Sequence, residues 1–221
     1  VSNIVAIDQA RWNTAQEHEA GYWGNCNSSV AWGEFVKHEM EAREMGLFSD
    51  YGDECGDECG ELKMQGKSVL DIGGGPVSMT LRCYDAGQLV VVDPCKWPSC
   101  VLRRYDRHGI NFLRAAGEDL DKCFLSDDTK FDEVWMYNLL QHVQDPEKII
   151  RNAMDRVSPT GCLRIFDWLY IPADVCHPHT LLPETILNWL AGTVIVKISL
   201  PRLVEHGCNA NAFVGIFTKA K

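Results

Sequence analysis

The run Lys67–Pro76, KSVLDIGGGP, constrains this chain more than any other stretch. A short apolar strand ends near Asp71, the main chain turns through Gly73, Gly74 and Gly75, and the next apolar run, LVVVD, closes on Asp93. Carboxylate, glycine turn and a second carboxylate about twenty residues on form a nucleoside-binding layout in the first half of a doubly wound sheet. Glycines without a Cβ let the backbone turn sharply and approach a ligand closely.

Pro76 and Ser78, just past the glycines, narrow the choice of ligand. A pyrophosphate is held by the amides that open the next helix. Pro76 has no N–H to offer there, and Ser78 stands where G-x-G-x-x-G has its third glycine. A zwitterionic, sulfonium-bearing ligand needs nearby carboxylates and close backbone contact instead. The stretch therefore suits S-adenosylmethionine better than NAD.

The chain alternates strand and helix beyond this point. Strands are predicted over Ser68–Asp71, Leu89–Asp93, Ile110–Leu113, Phe131–Tyr137, Cys162–Asp167, Val194–Leu200 and Ala212–Phe217. Helices are predicted over Val77–Asp85, Pro98–Arg107 and Leu182–Leu190, with another capped by Asp145 and Pro146 and buried through Ile149, Ile150, Ala153 and Val157. Such alternation predicts an α/β, mostly parallel sheet covered on both faces. The closing pair of strands leaves little room for a helix, so one antiparallel edge is expected. Upstream, Ile7–Ala20 and Ala31–Met45 read as helices around the aromatic break GYWGNC, with Gly46 as a stop. Residues 49–61 read as an exposed acidic loop carrying GDEC twice.

Charge separates the two parts. The net charge is −10, and residues 1–66 hold 13 acidic and 4 basic side chains against 18 and 17 in residues 67–221. The expected division is an N-terminal helical extension over 1–66 and a binding domain over 67–221. Phosphate-backbone binding draws on many Lys and Arg, so nucleic acid is not an expected partner. The strip Arg103, Arg104, Arg107 and Arg114 reads as a solvated helix face. No long apolar run suggests a membrane span, and VSNIVAIDQARW does not read as a signal peptide. The ten cysteines are scattered without Cys-x-x-Cys, so reduced thiols and a cytoplasmic location are expected.

The chain resembles the class I S-adenosylmethionine-dependent methyltransferases, motif by motif in order. VLDIGGGP at 69–76 looks like their first motif and VVVDP at 90–94 like the acidic end of their second strand. AGEDL at 116–120 looks like their adenine-binding turn. FDEVWMYNLLQHV at 131–143 is similar to their fourth strand and active-site turn, and SPTGCLRIFDW at 158–168 to the approach to the fifth strand. The resemblance implies a Rossmann-like, seven-stranded sheet. It also implies that Gly73, Gly74 and Gly75 lie against the methionine part with Asp71 nearby. Asp93 and Pro94 would meet the ribose, whose vicinal hydroxyls suit one carboxylate as a double acceptor. Gly117 and Glu118 would meet the adenine, and Asn138 and Leu139 would complete the cofactor contacts. Many relatives have an aspartate where this chain has Ala116.

Methyl transfer is an in-line displacement that depends on alignment and exclusion of water. A base is needed only for an acceptor that carries a proton at neutral pH. His142, four residues past Asn138, is the first candidate, since histidine titrates near neutrality. His179, in CHPHTLLPE, is the second, because that segment resembles the one placed over the acceptor in many small-molecule members. A zinc site from Cys176, His177, His179 and Cys208 has spacing too tight for a known motif, so no metal is expected. Trp23, Gly24, Asn25 and Cys26 form either a lid over the cofactor or a staple onto the sheet.

The expected function is methyl transfer to O or N of a small molecule. Alternatives are an RNA methyltransferase and a regulatory domain that binds the cofactor without catalysis. The chain has YNLLQ after strand four instead of the Pro-Pro-aromatic motif of amino-directed nucleic-acid enzymes. Pro94–Cys95 comes after strand two, not strand four, so a cytosine-type nucleophile is not expected there.

Overall fold

The computed structural model describes residues 4–24, 38–52, 60–124, 126, 128–205 and 208–220. Eight strands form its main sheet: β1 (Ser68–Ile72), β2 (Gln88–Val92), β3 (Ile110–Leu113), β4 (Phe131–Tyr137), β5 (Val157–Leu169), β6 (Val194–Ser199), β7 (Arg202–Glu205) and β8 (Cys208–Thr218). Their order is β3-β2-β1-β4-β5-β8-β6, with β7 paired to the start of β8. Strands β1 to β5 are parallel, and β8 runs antiparallel to β5, β6 and β7. The expected α/β sheet is present, with two differences of detail. The antiparallel strand lies one place in from the edge, and β7 is an eighth strand formed where the chain doubles back after Pro201.

Alternate side chains of each strand supply the two cores, as the period of a strand requires. Leu70, Ile72, Val90, Val92, Val134 and Met136 pack on one face against Ile149, Ile150 and Ala153 of the helix Pro146–Arg156. Val69, Val91, Trp135 and Tyr137 pack on the other against Val101 and Tyr105 of the helix Ser99–Arg107. Asp145 caps its helix as expected, its carboxylate accepting from Lys148 N at 3.0 Å. Met45 and Leu47 share the second core, and Arg164 of β5 donates to the Met45 carbonyl at 2.7 Å and to Asp50 at 2.6 Å.

The helix expected over Val77–Asp85 is absent. A 3-10 turn, Met79–Arg82, and a two-residue strand, Cys83–Tyr84, stand there instead. The chain turns extended at Cys83 and pairs there with Leu62 as a short parallel strand, so no helix continues. Ser78 N donates to the Tyr105 hydroxyl at 3.1 Å and Met79 N to the Tyr137 hydroxyl at 2.9 Å, while the Ser78 hydroxyl accepts from Thr80 N at 3.0 Å. The first helix, Gln9–Gly24, runs past its expected end at Ala20. Trp23 Nε1 bonds Glu19 Oε2 one turn back at 3.1 Å, and nothing lies within 4 Å of a Cβ built on Gly21. Residues 38–44 are helical and Gly46, at φ 76°, closes that segment as expected. Residues 31–37, most of the GDEC repeat, and Asn25 and Cys26 of the expected lid lie outside the described residues. Among the described residues no helix is long and apolar enough to cross a membrane.

Candidate active site

A cleft opens at the carboxyl ends of β1, β2 and β4, where ligands bind in open α/β sheets. Gly73, Gly74, Gly75, Asp93 and Pro94 line one part of it, and Gly117, Glu118, Asn138 and Leu139 another. His142 lines it too. Asp71 lies beneath the glycine turn and His179 lies outside the lining.

The turn is built for close approach. Gly73 sits at φ 77°, and a Cβ on it would stand 2.4 Å from Leu139 Cδ1. A Cβ on Gly74 would stand 2.7 Å from Asp71 Oδ2 and 2.9 Å from Val91 Cγ1. Asp71 is fully buried; Oδ2 accepts from the Ser78 hydroxyl at 2.5 Å and the Tyr137 hydroxyl at 2.7 Å, and Oδ1 has no partner among the described residues. Burial pushes this carboxyl up to about 7, against the pull of the Ser78 and Tyr137 bonds. Ser78, the residue in place of the third glycine, thus anchors the carboxylate under the turn.

Asp93 holds the second strand end in place. Its Oδ1 accepts from Cys95 N at 2.9 Å and Trp97 Nε1 at 3.1 Å, and its Oδ2 from Gly75 N at 3.1 Å. Burial raises it to about 6 despite these three donors. Glu118 Oε1 accepts from the amides of Gln144 and Asp145 at 2.8 and 3.0 Å, which leaves Oε2 for other partners. Asn138, at φ 50°, begins the active-site turn. Asp167 pins that turn through Oδ2, which accepts from Leu139 N at 3.0 Å and Leu140 N at 2.6 Å.

The two histidines part company here. His142 Nδ1 lies 3.2 Å from Glu19 Oε1 and 3.1 Å from the Cys176 carbonyl oxygen. Burial works against its charge, but the bond to Glu19 and the charges of Glu19 and Asp167 outweigh it, so its pKa is raised. His179 is 4% exposed and its Nε2 meets the Val143 carbonyl at 2.9 Å. Burial lowers its pKa. His179, expected over the acceptor, lies in this structure outside the cleft lining, with its imidazole against the segment behind the active-site turn. His177 bonds Asp174, and no group of three or more His, Cys, Asp or Glu among the described residues could hold a metal ion.

The first helix supplies Trp12, Gln16 and Glu19, which sequence reasoning missed, beside Trp23, which it read as part of a lid or a staple. Trp12, Gln16, Glu19 and Trp23 line the cleft from one face of it. Their spacing of four, three and four residues is the helical signal; the mixture of tryptophan and polar side chains hid it as an apolar stripe. Gln16 and Glu19 both reach the active-site turn, Gln16 Nε2 meeting the His142 carbonyl at 3.4 Å.

A family model described as a methyltransferase domain matches residues 43–191. The chain belongs to the methyltransferase-domain family. Its fold is shared with a 1,6-didemethyltoxoflavin-N1-methyltransferase from Burkholderia thailandensis, solved with 1,6-didemethyltoxoflavin and S-adenosylhomocysteine. The two are 14% identical, with a TM-score of 0.66 over 100% of this chain and 94% of that one. It is shared also with the N-methyltransferase NodS from Bradyrhizobium japonicum WM9 bound to S-adenosylhomocysteine, at 15% identity and a TM-score of 0.58 over 96% and 98% of the two chains. The [4+2]-cyclase SpnF matches as well, at 16% identity and a TM-score of 0.56 over 71% of this chain and 76% of that one. No curated protein sequence matches.

The cleft of this methyltransferase-family chain suits S-adenosylmethionine, the ligand expected from the sequence, better than a pyrophosphate. The amides a pyrophosphate would use are committed: Gly75 N to Asp93, Ser78 N and Met79 N to tyrosine hydroxyls. Glu19, Asp93 and Glu118 line the cleft with no Lys or Arg among the described residues. Such a surface favours a cation over a phosphate.

Proposed function

We propose that this methyltransferase alkylates an oxygen or nitrogen of a small molecule. The carrying observation is a cleft lined by three carboxylates and no described Lys or Arg, with the first helix along one side. A phosphate-bearing polymer finds no cationic partner there. Two of the neighbours of this fold are named as N-methyltransferases, one of them with a small heterocycle bound.

The glycine turn and the free oxygen of Asp71 would hold the amino-acid end of the cofactor. Asp93 would take the ribose hydroxyls on the spare capacity of Oδ2, and Gly117 with Glu118 Oε2 would face the adenine. When bound, the cofactor supplies a methyl group activated on sulfonium. The chain aligns the acceptor, excludes water through Trp12 and Trp23, and removes a proton through His142. Free thiols at Cys83, Cys95, Cys100, Cys123, Cys162 and Cys176 accord with a cytoplasmic setting.

Incubation with S-adenosylmethionine and a metabolite extract, read by mass spectrometry, tests the acceptor class. A small molecule gaining one CH2 only when active protein is present supports the reading. Methylation confined to added RNA would replace it, and cofactor binding without any product would leave a regulatory domain.

A further inference from the structure

Glu19 belongs to the first helix, outside the sheet, yet its carboxylate reaches the active-site turn. Its Oε1 lies 3.2 Å from His142 Nδ1, and its Oε2 accepts from Trp23 Nε1 at 3.1 Å. The Cys176 carbonyl oxygen lies 3.1 Å from the same Nδ1. A carbonyl cannot donate, nor can an ionised carboxylate, so Nδ1 carries the hydrogen. In the neutral ring the lone pair then belongs to Nε2. The Gln141 amide nitrogen, a donor, stands 3.4 Å from Nε2 and agrees with that tautomer.

We infer that Glu19 is a positioning residue, holding His142 in the Nδ1–H tautomer so that Nε2 deprotonates an acceptor carrying a hydroxyl or heterocyclic N–H. The inference rests on the methyltransferase reading proposed for this site and narrows its substrate class. As the acceptor oxygen or nitrogen bonds the methyl carbon, its proton passes to Nε2. The electron pair of the broken carbon–sulfur bond stays on sulfur and cancels the sulfonium charge. The imidazolium faces the Glu19 carboxylate until water takes the proton. An amine already neutral would need no such dyad.

Other groups act on the same ring. Asp167 of β5 favours its charged form, as Glu19 does. His177, whose ring centroid is 4.6 Å away, opposes it when protonated and is itself bonded to Asp174. The Cys176 thiol sits beside its own carbonyl, and burial keeps that thiol protonated.

Histidine-ring NMR of the cofactor-free full chain is the direct test, with His142 assigned by the signals lost in His142→Gln. The expected result is a neutral Nδ1–H tautomer and a pKa that falls by about one pH unit or more in Glu19→Gln. Glu19→Asp should retain part of the shift. With a proton-bearing acceptor, the rise of kcat with pH should move to lower pH in Glu19→Gln. Its plateau should fall about 100-fold, while S-adenosylhomocysteine still binds in calorimetry. An Nε2–H tautomer in the wild type, or an unchanged titration in Glu19→Gln, overturns the inference even if the enzyme turns over. A chain that methylates nothing refutes the proposed function instead, and the titration still decides the dyad.

Discussion

Two side chains divide binding from chemistry, and each has its own expected signature. Asp93 organises Gly75, Cys95 and Trp97 and keeps acceptor capacity on Oδ2. Replacing it with Ala should weaken S-adenosylhomocysteine binding by about tenfold or more, since hydrogen bonds to a charged group contribute about 1.5–3 kcal/mol. Isothermal calorimetry reads this directly, and unchanged affinity would remove Asp93 from the site. His142 sits in the same cleft but is expected to act on the acceptor. His142→Gln should lower kcat about 100-fold or more with the product affinity intact. Equal losses in kcat and cofactor affinity would make it a structural residue. The contrast with His179 is instructive: both histidines are legible in the sequence and both meet a backbone carbonyl, but only His142 lines the cleft.

Single elements owe their placement to a few polar contacts. Asp145→Ala removes the cap on the helix Pro146–Arg156 and should cost about 1 kcal/mol in thermal or urea unfolding. Asp167→Ala should cost more, because the buried amides of Leu139, Leu140 and Trp168 lose their acceptor together. A loss of about 3 kcal/mol or more is expected, and one no larger than the cap's would contradict that role. These elements also show what the sequence could carry. Apolar runs of β1, β2 and β4 and the Asp145–Pro146 cap are local signals, so their positions were legible. The missing helix after β1 was not, because Cys83 and Tyr84 pair with Leu62 and Lys63, a contact about twenty residues back in the chain that no local pattern announces. The first helix was legible as a helix, but only Trp23, read as part of a lid or a staple, pointed to the site. Its cleft-facing stripe of Trp12, Gln16, Glu19 and Trp23 mixes chemistry that a search for apolar periodicity passes over.

Across the whole molecule, the strand ends at the site concentrate buried acid, whereas Glu133, buried farther back in the sheet, is paired with Arg164 at 2.8 Å. Burial raises Asp71 to about 7, and Asp93 and Asp167 each to about 6. A carboxyl with a folded pKa above its unfolded value, about 4, binds its proton more tightly when folded. Its stabilising contribution is present at low pH and is lost as pH rises through the folded pKa. His142, also raised, acts in the same direction, whereas His179 and Glu19, both lowered, act in the opposite one. Asp71→Asn should therefore gain stability relative to the wild type as pH climbs from about 4 to about 7 in urea titrations. A constant difference across that window would mean that Asp71 titrates normally. An unpaired carboxylate kept beneath a ligand cleft is costly in the empty protein, and a cationic ligand above it offsets that cost.

Calorimetric titration of the protein with S-adenosylhomocysteine, run beside NAD, tests most directly whether this cleft holds the nucleoside of S-adenosylmethionine. Saturable binding of the first is expected, lost or greatly weakened in Asp93→Ala, with no binding of the second. Binding of NAD, or failure to bind S-adenosylhomocysteine, would contradict that assignment.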